Sequence, residues 1–103
     1  MLGLDNIMRQ AQEMQTKMAK IQEELGNRKV AGSSGGGMVT VVCNGRQEIL
    51  SIDIDKTAVD PADVTMLEDL VLTAVNDALR QSREMAAQEM RALTGGLNIP
   101  GLC

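Results

Sequence analysis

The chain has 103 residues, with no Phe, Tyr, Trp or His, two Cys and a formal net charge of −4 at pH 7. A hydrophobic content of 44% is that of a globular protein and argues against a disordered chain. No run reaches the ~20 apolar residues of a membrane span, and without His, and with Cys43 and Cys103 far apart, there is no ordinary zinc or acid–base site.

The length gives one domain. Its core must come from Val, Ile, Leu, Ala and eight Met. Aromatic side chains bury the most area per residue, and short chains bury a smaller fraction of their surface than longer ones. Both points favour obligate oligomerisation. The start, MLGLDNIMRQ, lacks the basic and apolar blocks of a secretory signal. A cytoplasmic protein is expected, and two cysteines fit a reducing compartment.

In chain order, Leu4, Ile7, Ala11, Met14, Met18, Ile21 and Leu25 are spaced 3-4-3-4-3-4, an unbroken heptad seam. This predicts a helix, capped near Asp5 and ended by Gly26-Asn27, that packs on one or two partner helices. Arg28–Ser33 is a weak strand candidate before the run Gly35-Gly36-Gly37. The period then becomes two: Met38–Cys43 and Gln47–Ile54 flank Asn44-Gly45, a strong hairpin signal. A two-residue turn there sets Cys43 opposite Arg46, Val41 opposite Glu48 and Val39 opposite Leu50. Val39, Val41, Leu50, Ile52 and Ile54 then share the buried face, with Val42 and Ile49 as apolar exceptions on the other.

From Asp60 to about Leu93 the chain contains no glycine, and its only proline is Pro61. Asp60 as cap, Pro61 in the first turn and Gly95-Gly96 beyond predict one long helix, with a second start possible at Thr65. Such a helix is about 45–50 Å long, whereas a compact globule of this size is only about 35 Å across. It must project or be covered by a second subunit. Leu67, Leu70, Val71 and Val75 belong to a wide apolar first half. From Arg80 the apolar surface narrows, which predicts an amphipathic arm. The fold class is therefore α+β, ordered α-β-β-β-α, with a three-stranded antiparallel meander between two helices.

Several motifs carry less than they suggest. The glycine run lacks the Lys-Ser/Thr and helix of a phosphate-binding loop, so it reads as a flexible strand connection. Asp53 and Asp55 alternate on one strand with no nucleophile–base set beside them, which argues against catalysis. Glu68 lies among apolar positions, either at a subunit boundary or as an early-helix acid. Cys43 fits a core position, and Cys103 ends a loose tail. The acidic total counts against a nucleic-acid binder, but placement of charge matters more than the sum. On the helix wheel Arg80, Arg83 and Arg91 lie within about 80° of one another, as do Arg9, Lys17 and Lys20. Glu84 and Glu13 interrupt them. These rows are either solvated faces or contacts for DNA phosphates, which would bind with strong salt dependence and weak sequence preference.

The segments MRQAQEMQTKMAKIQEEL, GGGMVTVVCNG, ILSIDID and MLEDLVLTAVNDA closely resemble the YbaB/EbfC nucleoid-associated proteins over nearly the whole chain. The resemblance implies a tweezer-like homodimer that binds duplex DNA and alters its conformation in the nucleoid. It implies no catalysis, and no cofactor, membrane or small-molecule substrate is expected. By location, it places the DNA contacts on Arg9, Lys17, Lys20, Arg80, Arg83 and Arg91. Residues 1–94 would form the DNA-binding and dimerisation domain, with Val39, Val41, Leu50, Ile52, Ile54, Leu67, Leu70, Val71 and Val75 in its core or dimer contact. Residues 95–103 would be a flexible tail. The rival reading is a protein-interaction adaptor using the adaptable Met-rich helical surfaces.

Overall fold

The structure, a computed structural model, describes residues 2–94, with only the backbone at Leu2 and Thr94. The tail assigned to 95–103, with Cys103, lies outside the described residues. Helix α1 spans Leu2–Asn27, followed by strands β1 (Lys29–Ser34), β2 (Val39–Asn44) and β3 (Ile49–Ile54), then helix α2 (Val64–Thr94). The sheet is antiparallel in the order β1-β2-β3. The expected α-β-β-β-α meander is thus present.

Helix α2 begins three residues later than the Asp60 cap predicts. Asp60 instead organises a turn, its Oδ1 accepting from Ala62 N at 2.9 Å and its carbonyl from Asp63 N at 2.9 Å. Asp63 is the cap, and its Oδ1 accepts from Met66 N at 3.2 Å. With 31 residues α2 is about 46 Å long. The molecule is correspondingly elongated, 73 × 26 × 17 Å, and its radius of gyration of 19.7 Å exceeds the ~13 Å of a compact chain this size.

The core is where α2 crosses β1 and β2. Val39, Val41 and Cys43 pack against Ala74 and Ala78, all fully buried. Small residues let the helix approach the sheet closely. At Gly32 of β1, an added β-carbon would stand 2.3 Å from Ala78 N and 2.5 Å from Ala74 O. Cys43 Sγ donates to Ala78 O at 3.2 Å, and burial pushes its thiol pKa up.

The hairpin differs from the predicted two-residue turn. Asn44 ends β2, and its Oδ1 accepts from Arg46 N (2.9 Å) and Glu48 N (3.1 Å), drawing Gly45–Glu48 into a longer loop with Gln47 at positive φ. Val39 therefore faces Ile54, and Val41 faces Ile52. An irregularity beside Val42 and Cys43 makes Ile49, not Arg46, the partner of Cys43. Gly45 is required for proximity, since a β-carbon there would lie 2.8 Å from Leu25 Cδ2 and 2.9 Å from Met85 Cε.

The glycine run is a tight turn, not a loose connection. Gly35, Gly36 and Gly37 all take positive φ, a conformation that disfavours other residues, and Gly37 N donates to Ser34 O at 3.1 Å.

Helix α2 lies over β1 and β2 and leaves β3 at an uncovered edge. Leu50 and Ile52, expected on a buried face, are consequently about half exposed (49% and 48%). Ile54, Leu67, Leu70, Val71 and Val75 are half-buried.

Candidate nucleic-acid interface

The last turn of α1 and the second half of α2 meet at the hairpin end of the sheet. Leu25 is buried there and its carbonyl accepts from Gly45 N at 2.8 Å. Ser82, fully buried, donates from Oγ to Asn44 O at 2.8 Å and accepts from Gln47 N at 3.2 Å. Met85 is also buried. The core packing of α2 thus continues beyond Arg80, and the projecting part of the helix is shorter than the apolar pattern predicts. Arg28, just before β1, is paired with Glu89 and ties α2 to the base of α1.

From this junction α1 extends almost without tertiary contact. Leu4, Ile7, Met8 and Met18 are exposed, and Ile21 and Leu25 bring the seam back to the body. The heptad seam is thus bare over most of its length.

All six basic residues expected at DNA are exposed: Arg9, Lys17 and Lys20 on α1, and Arg80, Arg83 and Arg91 on α2. They are not equivalent. Arg80 donates from Nη2 to Asp77 Oδ1 at 2.8 Å and from Nη1 to Glu84 Oε1 at 3.0 Å. These hydrogen bonds raise the Arg80 pKa, and the Arg80 guanidinium is the largest cause holding Asp77 below the usual carboxylate range. Asp77 Oδ2 also accepts from Ser33 N at 3.3 Å and Gln81 Nε2 at 3.2 Å, while Gln81 donates to Ala31 O at 2.8 Å. Two α2 side chains thereby occupy the outer backbone groups of β1, leaving β3 as the open edge of the sheet.

Asp77 and Gln81 escape a reading of the sequence because their partners lie on β1, 44 and 50 positions away. The Asp77–Arg80–Glu84 spacing is visible in the sequence, since residues three and four apart are neighbours on a helix. Asp55, one of the two strand-end acids, is structural. Its Oδ1 accepts from Thr57 N and Thr57 Oγ1, which lowers its pKa. Among the described residues, no three or more Cys, Asp or Glu gather as a metal site, and no helix is long and apolar enough to cross a membrane.

On the face of α2 near β3, Ile54, Leu67, Val71, Leu72 and Val75 line an open, largely apolar groove of about 440 Å³ with Glu68 among them. Leu72 is 59% exposed.

These features define a class: a small α+β protein with two long helices joined at one end of a three-stranded sheet. Residues 1–97 match the YbaB/EbfC DNA-binding family, and the chain belongs to that family. A nucleoid-associated protein of Desulforamulus reducens is 65% identical over 100 residues, covering 97% of this chain and 95% of that one. One from Syntrophobacter fumaroxidans is 60% identical over 97 residues, covering 94% and 88%. The fold is shared with the crystal structure of an uncharacterized Helicobacter pylori protein, at a TM-score of 0.78 and 22% identity, covering 86% of this chain and 94% of that one.

Proposed function

We propose that the protein is a nucleoid-associated homodimer that binds duplex DNA and alters its conformation, with a role in nucleoid organisation and gene regulation and without cofactor or catalysis. Family membership supports the DNA partner. The observation that carries the mode of binding is the exposure of Arg9, Lys17, Lys20, Arg80, Arg83 and Arg91 on two long helices, in a chain whose total charge is negative. Placement thus supplies what composition lacks. Contacts made by such side chains are to phosphates, so binding is steeply salt-dependent and weakly sequence-specific.

A second copy of the chain is the natural cover for the open β3 edge, the groove beside it and the bare α1 seam. Exposed apolar strand edges are otherwise aggregation sites, and a core without aromatics gains most from a partner. A mobility-shift titration on duplex DNA across a salt series tests the reading, with solution mass measured in parallel. Retarded complexes that weaken steeply with salt, formed by a species of twice 11.0 kDa, are expected. Failure to bind at low salt, or affinity indifferent to salt, overturns the DNA assignment. A monomeric mass overturns the dimer.

A further inference from the structure

We infer that Asp77 and Glu84 are positioning residues that hold Arg80 as internal substitutes for phosphate, so that Arg80 binds DNA in competition with both. The inference rests on the DNA-binding reading above and concerns how its strength is set. An arginine grips a phosphate through parallel bonds from its guanidinium fork. On Arg80 both terminal nitrogens are already engaged, Nη2 by Asp77 at 2.8 Å and Nη1 by Glu84 at 3.0 Å. The side chain is 53% exposed, so the occupied fork lies at the surface where a phosphate would approach.

Asp77 is not free to follow Arg80 outward. Its second oxygen is held by the Ser33 amide and by Gln81, which is itself bonded to Ala31 O. One carboxylate is therefore fixed to the sheet, and the other sits a helical turn beyond Arg80. Arg83, also exposed, has no ion pair of this kind among the described residues. The two arginines share a helix and differ in what a phosphate must displace. Arg83 is available at once, while Arg80 is in competition with two acids of its own chain.

The test is a double-mutant cycle on duplex DNA over a salt series. It compares the natural chain, Asp77→Asn with Glu84→Gln, Arg80→Ala, and all three substitutions together, each confirmed folded by circular dichroism and matched in solution mass. Removing two acids near DNA strengthens binding by general electrostatics whether or not Arg80 is involved, so the informative quantity is the part of the gain that requires Arg80. The expected result is an Arg80-dependent gain of about three- to fivefold. The slope of log affinity against log salt steepens by about 0.9, the signature of one added phosphate neutralised. Glu84→Gln alone, at a residue 62% exposed, gives a smaller gain of the same kind and keeps the test open if the Asp77 variant is unstable. If the gain is equal with and without Arg80, or the slope is unchanged, the inference is overturned while the DNA reading stands. If the natural chain fails to bind at low salt, both fall.

Discussion

Gly32 of β1 lies directly beneath Ala78 of α2, so closely that a β-carbon on the glycine would come within 2.3 Å of the Ala78 nitrogen. The obstruction is backbone, which cannot rotate aside as a side chain can. Gly32→Ala should therefore push α2 off the sheet and loosen the buried Val39, Val41 and Cys43 beneath it. The cost is on the order of 3 kcal/mol, the upper range for overpacking, or a fall in Tm of about 12–24 °C for a domain this size. A thermal melt by circular dichroism checks it, and an unchanged midpoint would show that the helix rides higher on β1 than this close approach requires.

The Ser82 hydroxyl joins α2 to the hairpin by donating to Asn44 O and accepting from Gln47 N. Ser82→Ala removes both bonds, while Gln47 N keeps its bond to Asn44 O at 3.2 Å. A destabilisation of about 1 kcal/mol follows, measured by urea denaturation. Ser82→Thr retains the hydroxyl but adds a methyl group to a fully buried position, so it should be no better tolerated.

The element order is legible in the sequence because each element declares itself locally. The heptad seam from Leu4 to Leu25 gives α1, alternation gives β2 and β3, and a glycine-free run gives α2. The hairpin register is not legible. Asn44-Gly45 has the composition of a two-residue turn, but Asn44 uses its side chain on Arg46 N and Glu48 N, and Gly45 is needed for its closeness to Leu25. Those uses depend on packing against α1 and α2, which local composition does not encode. The apolar pattern overstates the projecting length of α2 for the same reason: Ser82 and Met85 are buried by the hairpin and by Leu25. At the candidate site, the basic rows can be read from helical spacing, whereas the tether of Asp77 to Ser33 cannot.

Ile52 is the central exposed apolar residue of the open edge strand, 48% accessible in the single chain. In a monomer, Ile52→Asp would cost only about 1 kcal/mol, because Asp is disfavoured in a strand and Ile52 is about half covered opposite Val41. In a dimer that covers β3, it buries a charge without a partner and should prevent association. Sedimentation equilibrium distinguishes the cases. The natural chain should sediment as a dimer and the variant as a monomer, and DNA affinity should fall with the loss of the second pair of helices. A variant that remains dimeric would place the subunit interface elsewhere.

Acid should expose the contribution of Asp77. Its carboxyl lies below its ordinary value of 3.8, chiefly through the Arg80 hydrogen bond and then the Ser33 amide. A folded-state pKa that is depressed stabilises the protein above the unfolded value, and that stability is lost as pH falls through the folded one. The contribution is therefore complete at pH 5 and above, begins to fall below about pH 4, and is lost once pH drops below the folded-state value. Asp77→Asn cannot titrate. The stability gap between the natural chain and this variant should be constant from pH 5 to 7 and narrow as pH falls below about 4. Urea midpoints at each pH supply the measurement. A gap that stays constant to pH 2.5 would mean that the carboxylate is not held by Arg80 in solution.

Arg83 offers the clearest test of the arm itself, because it is exposed and lacks the flanking carboxylates that bind Arg80. Arg83→Glu replaces a phosphate-binding charge with one that repels phosphate. Affinity for duplex DNA should fall at least tenfold at low salt, and the salt slope should decrease by about 0.9 for each phosphate no longer neutralised. The matched control is Lys56→Glu, the same change in net charge in the 3-10 turn after β3, at the end of the sheet away from the helix junction. If both substitutions weaken binding equally, DNA responds to total charge alone. If Arg83→Glu acts and Lys56→Glu does not, the contact is local to the second half of α2. Neither change removes a buried group, so dimer mass and thermal midpoint should stay close to those of the natural chain.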